Sequence, residues 1–330
     1  MEDRIEPSAK SLTADQITLM CQRGFGKDVQ IDSLHELRGG TFNTAYLITL
    51  TGQSKAVLRL APPQTADIAW EDAFLMRSEH AMQPYFAPIA ALMPKTLLID
   101  FTHQLIDRDL MFQTFIEGER WDDVWDELPA AENNVLWDQF GHITRQIHDV
   151  RGEKFGLPRP GFQFERWSDT VIDRLGRTLQ AAEELQLEVT NLRQILETVR
   201  AHPRGLDEIQ IPRLLHGDLW AFNLLIARGE NGPAIVGVLD ADRSWWGDPM
   251  ADWTMFILAH ADREEGHAHF WQTYGKPEDT QEARFRKTVY DGMHAATALV
   301  WSVRNHDEGT VQKAYGTLRE VAEALPMLLD

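Results

Sequence analysis

The segment Leu214-Leu215-His216-Gly217-Asp218-Leu219-Trp220-Ala221-Phe222-Asn223-Leu224-Leu225 constrains this chain more than any other. Two apolar runs flank a polar stretch that carries an aspartate and, further on, an asparagine. Apolar runs this short read as strands, so the polar stretch is expected to be a loop between them. After a turn at Asn231-Gly232-Pro233 comes Ile235-Val236-Gly237-Val238-Leu239-Asp240, an apolar strand ending in a carboxylate. A charge at the tip of a buried strand is costly unless it meets a cation or a donor. Two carboxylates and an amide converging from neighbouring strands form an all-oxygen site. That suits Mg2+ on nucleotide phosphates better than Zn2+, which favours nitrogen and sulfur.

The spacing is similar to that of the protein-kinase catalytic loop H-R-D-L-x-x-x-N, here His216-Gly217-Asp218-Leu219-Trp220-Ala221-Phe222-Asn223. In that chemistry the Asp orients or deprotonates the attacking hydroxyl, while the Asn and a downstream Asp hold Mg2+ at the phosphates. Gly217 in place of Arg, and Asp240-Ala241-Asp242 in place of Asp-Phe-Gly, point away from true protein kinases. With Gly247-Asp248-Pro249-Met250-Ala251-Asp252 added, the chain resembles the aminoglycoside phosphotransferase family, close to the choline, homoserine and fructosamine kinases. The resemblance runs from about Leu37 to Ala261, and the later helices follow only in kind. It implies a bilobal protein-kinase-like fold with ATP and Mg2+ as cofactors. Asp218 would be the catalytic base, with Asn223 and Asp240 as metal ligands.

The order of elements agrees with that expectation. A short helix capped by Ser11 or Thr13 precedes strands at Val29–Leu37, Ala45–Leu50 and Ala56–Leu60. A helix over about Ile68–Met82 and strands at Leu97–Phe101 and Leu110–Ile116 follow. Beyond Glu117-Gly118-Glu119 the pattern turns mainly helical: Asn133–Val150, Trp167–Leu187, Val189–Ala201, Met250–Ala261, Glu282–Asn305 and Thr310–Leu325. The expected class is α+β. A nucleotide-binding lobe with a small five-stranded antiparallel sheet spans 1–117, and a larger, mainly helical lobe spans 118–330.

On the same resemblance, Gly39-Gly40-Thr41-Phe42-Asn43 would cover the ATP phosphates, with backbone N–H groups around Gly40, Thr41 and Asn43 as donors. Kinases carry a Lys on the third strand that grips the phosphates and pairs with an acid on the next helix. Arg59 stands there, with Glu79 as the acid. The two cations are not interchangeable, and an Arg snorkelling from an edge strand is the competing reading. Gln113 would guard the adenine pocket, with the Thr114 C=O and the Ile116 N–H bonding the adenine edge.

Other residues have plainer readings. His216 is expected to be structural and bonded to backbone, Asp248 an organiser of the loop and helix start, and Asp252 a structural acid. Asp242 would point the same way as Asp240 if the strand continued, making it a second acid near metal or substrate. The neighbourhood of His260, His267 and His269 looks like a solvated interhelical loop rather than a zinc site. Trp220, Trp245 and Trp246 are core by default, with an acceptor-pocket wall as the alternative. The acidic run Trp121–Glu127 reads as a solvated helix face.

With 51 acidic against 32 basic residues, the net charge of −19 disfavours nucleic acid and anionic membrane surfaces as partners. Cys21 is the only cysteine, which excludes an intrachain disulfide. The N-terminal stretch lacks the apolar region of a secretory signal, and no window is apolar enough to span a bilayer, so a soluble cytoplasmic protein is expected. The expected partner is a small hydroxylated acceptor. Acidity and aromatic content tilt toward a cationic or bulky one such as an antibiotic. A choline-, homoserine- or sugar-type metabolite, a non-catalytic nucleotide-binding module and a metal-dependent phosphoesterase stay open.

Overall fold

The computed structural model of the chain describes residues 12–37, 43–62, 74–260 and 264–329. Helix α1 (Ala14–Phe25) starts at a capping box. Thr13 Oγ1 accepts from the Gln16 N–H at 3.2 Å, and the Gln16 side chain accepts from the Thr13 N–H at 2.9 Å. Five strands then build one antiparallel sheet: β1 (Ile31–Leu37), β2 (Thr44–Leu50), β3 (Ser54–Leu60), β4 (Thr96–Asp100) and β5 (Leu110–Thr114), in the order β1-β2-β3-β5-β4.

The two-residue period of a strand sorts the faces of this sheet. Ile48, Leu58, Leu60, Leu110 and Phe112 pack against Ile17, Met20 and Cys21 of α1. The opposite face sets Met111 against Met76 of helix α2 (Leu75–Met82). Arg59 pairs in register with Met111, so the alternation that buries Leu58 and Leu60 also turns Arg59 toward α2. Gly40 and Thr41 of the glycine bend, and the expected helix before residue 74, lie outside the described residues.

After β5 the chain crosses to the second lobe, where β6 (Glu119–Arg120) pairs with β10 (Leu224–Gly229). Gly118 fits this crossing because a Cβ there would stand 3.0 Å from the Ile226 carbonyl oxygen. The lobe continues with α3 (Trp121–Val124), α4 (Ala130–His148), β7 (Phe155–Gly156), β8 (Gln163–Phe164), α5 (Trp167–Glu184), α6 (Thr190–Ala201) and α7 (Arg204–Asp207). Then come β9 (Arg213–Leu215), β10, β11 (Gly232–Val238), β12 (Trp245–Gly247), α8 (Trp253–His260), α9 (Glu264–Tyr274), α10 (Gln281–Arg304) and α11 (Glu308–Met327). One core joins α4 to the β10–β11 hairpin through Leu136, Phe140, Ile143, Leu224, Ile226 and Ile235. Another fills the bundle of α5, α6, α10 and α11.

Two expectations are corrected. The stretch read as a solvated loop around His260–His269 is helical from Glu264 onward, as α9. Phe270 and Tyr274 recur at helical spacing and stack at 5.3 Å, while His267 meets the Trp137 ring at 5.3 Å. The helix expected from Met250 begins only at Trp253, because Pro249–Ala251 forms a separate turn capped by Asp248.

Candidate active site

The catalytic-loop motif lies between β9 and β10, as its flanking apolar pairs require. Its asparagine folds back on its aspartate: Asn223 Nδ2 donates to Asp218 Oδ2 at 2.9 Å and to the Asp218 C=O at 2.7 Å. The Leu239 N–H donates to the Asn223 C=O at 2.9 Å, which ties the loop to the strand end beside Asp240. Asp218, Asn223 and Asp240 therefore gather at one place. Burial, and the nearby Asp240 charge, push the Asp218 carboxyl up to about 6, against the opposing pull of Arg243 and Asn223.

Asp240 adopts φ 62° and ψ 50°, a left-handed conformation that costs a non-glycine residue about 1 kcal/mol. This conformation ends the strand and swings the carboxylate toward the sheet lobe, where Oδ1 accepts from Arg59 Nη2 at 2.6 Å. The strand does not continue to Asp242. A tight turn over Ala241–Arg243 carries that side chain into a buried position, with Oδ2 3.8 Å from Arg59 Nη2. Burial first and Asp240 second hold the Asp242 carboxyl well above the usual range.

Arg59 is buried and is shared between the lobes. Its Nη1 donates to both oxygens of Glu79 at 2.8 and 2.7 Å, while Nη2 serves Asp240. This observation removes the snorkelling alternative. Gln113 Nε2 donates to Glu79 Oε1 at 2.8 Å. Glu79, Asp240 and Asp242 each offer an oxygen within 4.8 Å of the others, an oxygen-only cluster able to hold a divalent cation. Thr114 spends its N–H on the Lys95 C=O at 2.9 Å, and Ile116 packs over Gly237 of β11, with Cγ2 3.2 Å from where a Cβ would stand. Asn43 is the residue just before β2.

The loop itself hangs on Asp252. Its oxygens accept from the backbone N–H groups of His216 (3.0 Å), Gly217 (2.8 Å) and Trp253 (2.8 Å), and from His148 Nε2 at 2.9 Å. Burial alone would raise this carboxyl, but His148, His216 and the backbone donors bring it below its ordinary value. Thr254 Oγ1 donates to the Leu219 C=O at 2.8 Å, so the start of α8 holds the loop on both sides of Asp218. His216 is fully buried, its C=O accepts from Ser244 Oγ at 3.2 Å, and burial lowers its imidazole to about 4. Among the described residues, neither of its buried ring nitrogens makes the backbone hydrogen bond expected of it. Asp248 organises the next turn, accepting from the Met250 N–H at 3.1 Å and from the Tyr290 hydroxyl at 2.8 Å. Trp245 and Trp246 are buried in the two cores, whereas Trp220 stacks on Phe222 at 5.3 Å.

Two participants escape the sequence reading. His148 has no motif around it. Arg243 is brought to the loop by Gly217, whose φ of 80° and missing Cβ let the Arg243 backbone approach; a Cβ would stand 2.1 Å from the Arg243 carbonyl oxygen. The signal for that contact was the glycine in His-Gly-Asp.

A five-stranded sheet with one α2-like helix, a crossing strand and a helical lobe bearing an Asp/Asn loop define the protein-kinase-like bilobal fold. The chain belongs to the phosphotransferase enzyme family (APH), whose profile matches residues 33–286. Solved relatives share the fold at low identity. The aminoglycoside phosphotransferase APH(4)-Ia superposes with a TM-score of 0.67 at 18% identity, covering 94% of this chain and 99% of its own. The GDP complex of wild-type aminoglycoside 2'-phosphotransferase-IIIa gives 0.65 at 16%, covering 95% and 99%. A putative aminoglycoside phosphotransferase from Ralstonia eutropha gives 0.66 at 14%, covering 96% and 98%. A probable ketoamine kinase of Klebsiella aerogenes is 35% identical over 141 residues, or 40% of this chain and 46% of that protein, so the match spans less than half of the curated relative. No helix among the described residues is long and apolar enough to cross a membrane.

Proposed function

We propose that this protein is a small-molecule kinase that moves the γ-phosphoryl group of ATP to a hydroxyl of its acceptor. The gathering of Asp218, Asn223 and Asp240 beside the Arg59–Glu79 pair supports this reading most strongly. The lobe up to residue 117 holds the nucleotide, and the lobe from 118 holds the acceptor. Asp218 orients the acceptor hydroxyl and takes its proton as the oxygen–phosphorus bond forms and the bond to the β-phosphate oxygen breaks, releasing ADP. Arg59, fixed by Glu79, binds the α/β phosphates. Backbone N–H groups around Gly40, Thr41 and Asn43 cover them, and the Thr114 C=O and Ile116 N–H take the adenine edge.

Mg2+ fits the oxygen donors here: Asp240, part of an oxygen-only cluster with Glu79 and Asp242, stands where the strand end is tied to the Asn223 loop. Asn223 and Asp240 would hold it, and bound there it would neutralise charge on the phosphate oxygens.

For the acceptor, an aminoglycoside-like antibiotic is one class, in keeping with the solved relatives. A ketoamine or related sugar-type metabolite is the second, favoured by the higher identity to the ketoamine kinase. ADP release from the purified protein with MgATP, measured across aminoglycosides, ketoamines, choline and homoserine, tests both. No ADP release with any acceptor would overturn the kinase reading in favour of a nucleotide-binding module. Phosphate release from simple esters without ATP would favour a phosphoesterase.

A further inference from the structure

Gln113 stands at the rear of the expected base pocket, yet both ends of its amide are engaged elsewhere. Its Nε2 donates to Glu79 Oε1 at 2.8 Å, and its Oε1 accepts from Arg59 Nη1 at 3.3 Å. The side chain is only 4% exposed. Strand geometry explains the orientation. Gln113 lies two residues beyond Met111 on β5, so it shares the face of the sheet that carries Arg59 and meets α2. The amide is polar in the sense the pair requires, with its donor end on the carboxylate and its acceptor end on the guanidinium.

The same geometry explains why Arg serves at position 59. A guanidinium has two terminal nitrogens, and here one serves Glu79 and Gln113 while the other serves Asp240. An ammonium is a single point and cannot hold that span.

We infer that Gln113 is a positioning residue for the phosphate grip, matched to Arg59 and Glu79, and that it does not read the nucleotide base. This rests on the nucleotide-dependent reading above. It predicts that base choice is made by other groups lining the pocket, and that losing the amide harms every nucleoside triphosphate alike.

The test is calorimetric binding of MgATP, MgGTP and adenosine to the wild-type chain, to Gln113→Leu and to Gln113→Met, which keeps length without the amide. Both triphosphates are expected to weaken about tenfold, the size of a lost buried hydrogen bond to a charged group. The ATP:GTP affinity ratio and adenosine binding should not change. In a Glu79→Ala background, Gln113→Leu should add nothing further to the loss of triphosphate affinity. A shifted ATP:GTP ratio, weakened adenosine binding or unaltered triphosphate binding in both variants would each overturn the inference. If the wild-type chain binds no nucleotide, the kinase reading itself fails. Independently, strictly additive shifts in denaturation midpoint for Gln113→Leu and Glu79→Ala would show that the network is absent.

Discussion

Arg59 shows how much chemistry one side chain can concentrate. It is buried, held by Glu79 from its own lobe and by Asp240 from the other, and kept charged by three carboxylates despite the cost of burial. Arg59→Lys should therefore be a poor replacement, weakening MgATP binding measured by calorimetry, because an ammonium satisfies Glu79 or Asp240 but not both. Asp218 makes the complementary prediction. Asp218→Ala should lower turnover by about 10²–10⁴-fold, the usual worth of a general base, while leaving MgATP affinity unchanged. Near-normal ADP release from that variant would remove Asp218 from the mechanism.

At the scale of elements, the catalytic loop is set by one glycine and one acid. Gly217→Ala places a Cβ on the Arg243 carbonyl oxygen and strains a φ of 80°, so it should lower both melting temperature and turnover. Asp252→Asn keeps the shape but loses the charge that four donors address. Because the folded carboxyl titrates below its ordinary value, its contribution is present above about pH 4 and is lost as the pH falls through the depressed folded value. The variant's stability deficit should accordingly be full at neutral pH and shrink in acid, as read by urea midpoints.

The strands were legible at this scale because apolar runs bounded by turns admit few alternatives, and the Asp218–Asn223 spacing needed only a short loop to close. Asp242 was not, since its direction depends on a left-handed residue at 240 that no periodicity encodes. Helix α9 was obscured by its charged lead Asp262-Arg263-Glu264-Glu265, although its aromatic spacing was present. Gln113's partners come from α2 and β3, far away in sequence.

Across the whole molecule, two buried histidines should weaken the fold in acid. The carboxyls of Asp218, Asp242 and Asp248 set an opposite trend, because burial raises them and they take up protons more readily when folded. Burial holds His216 at about 4 and His294 at about 3, against 6.5 when exposed. The unfolded chain thus binds protons that the folded chain refuses. The contribution of each histidine is full above about pH 6.5 and falls with acidification by about 1.4 kcal/mol per pH unit until its folded value is reached. Urea midpoints between pH 7 and 4 check this, and His294→Phe should reduce the slope by one proton's worth. An unchanged slope in His294→Phe would mean that this imidazole is not shielded.

The guanidinium shared by Glu79 and Asp240 has one more consequence. On the proposed reading, an arriving phosphate competes with Asp240 for the nitrogen that fastens the halves together, so occupancy and breathing of the cleft become one coupled variable. Amide exchange in α2 and in the turn after Asp240 should then change in step on nucleotide addition, two clocks far apart in sequence reset by a single displaced ion pair.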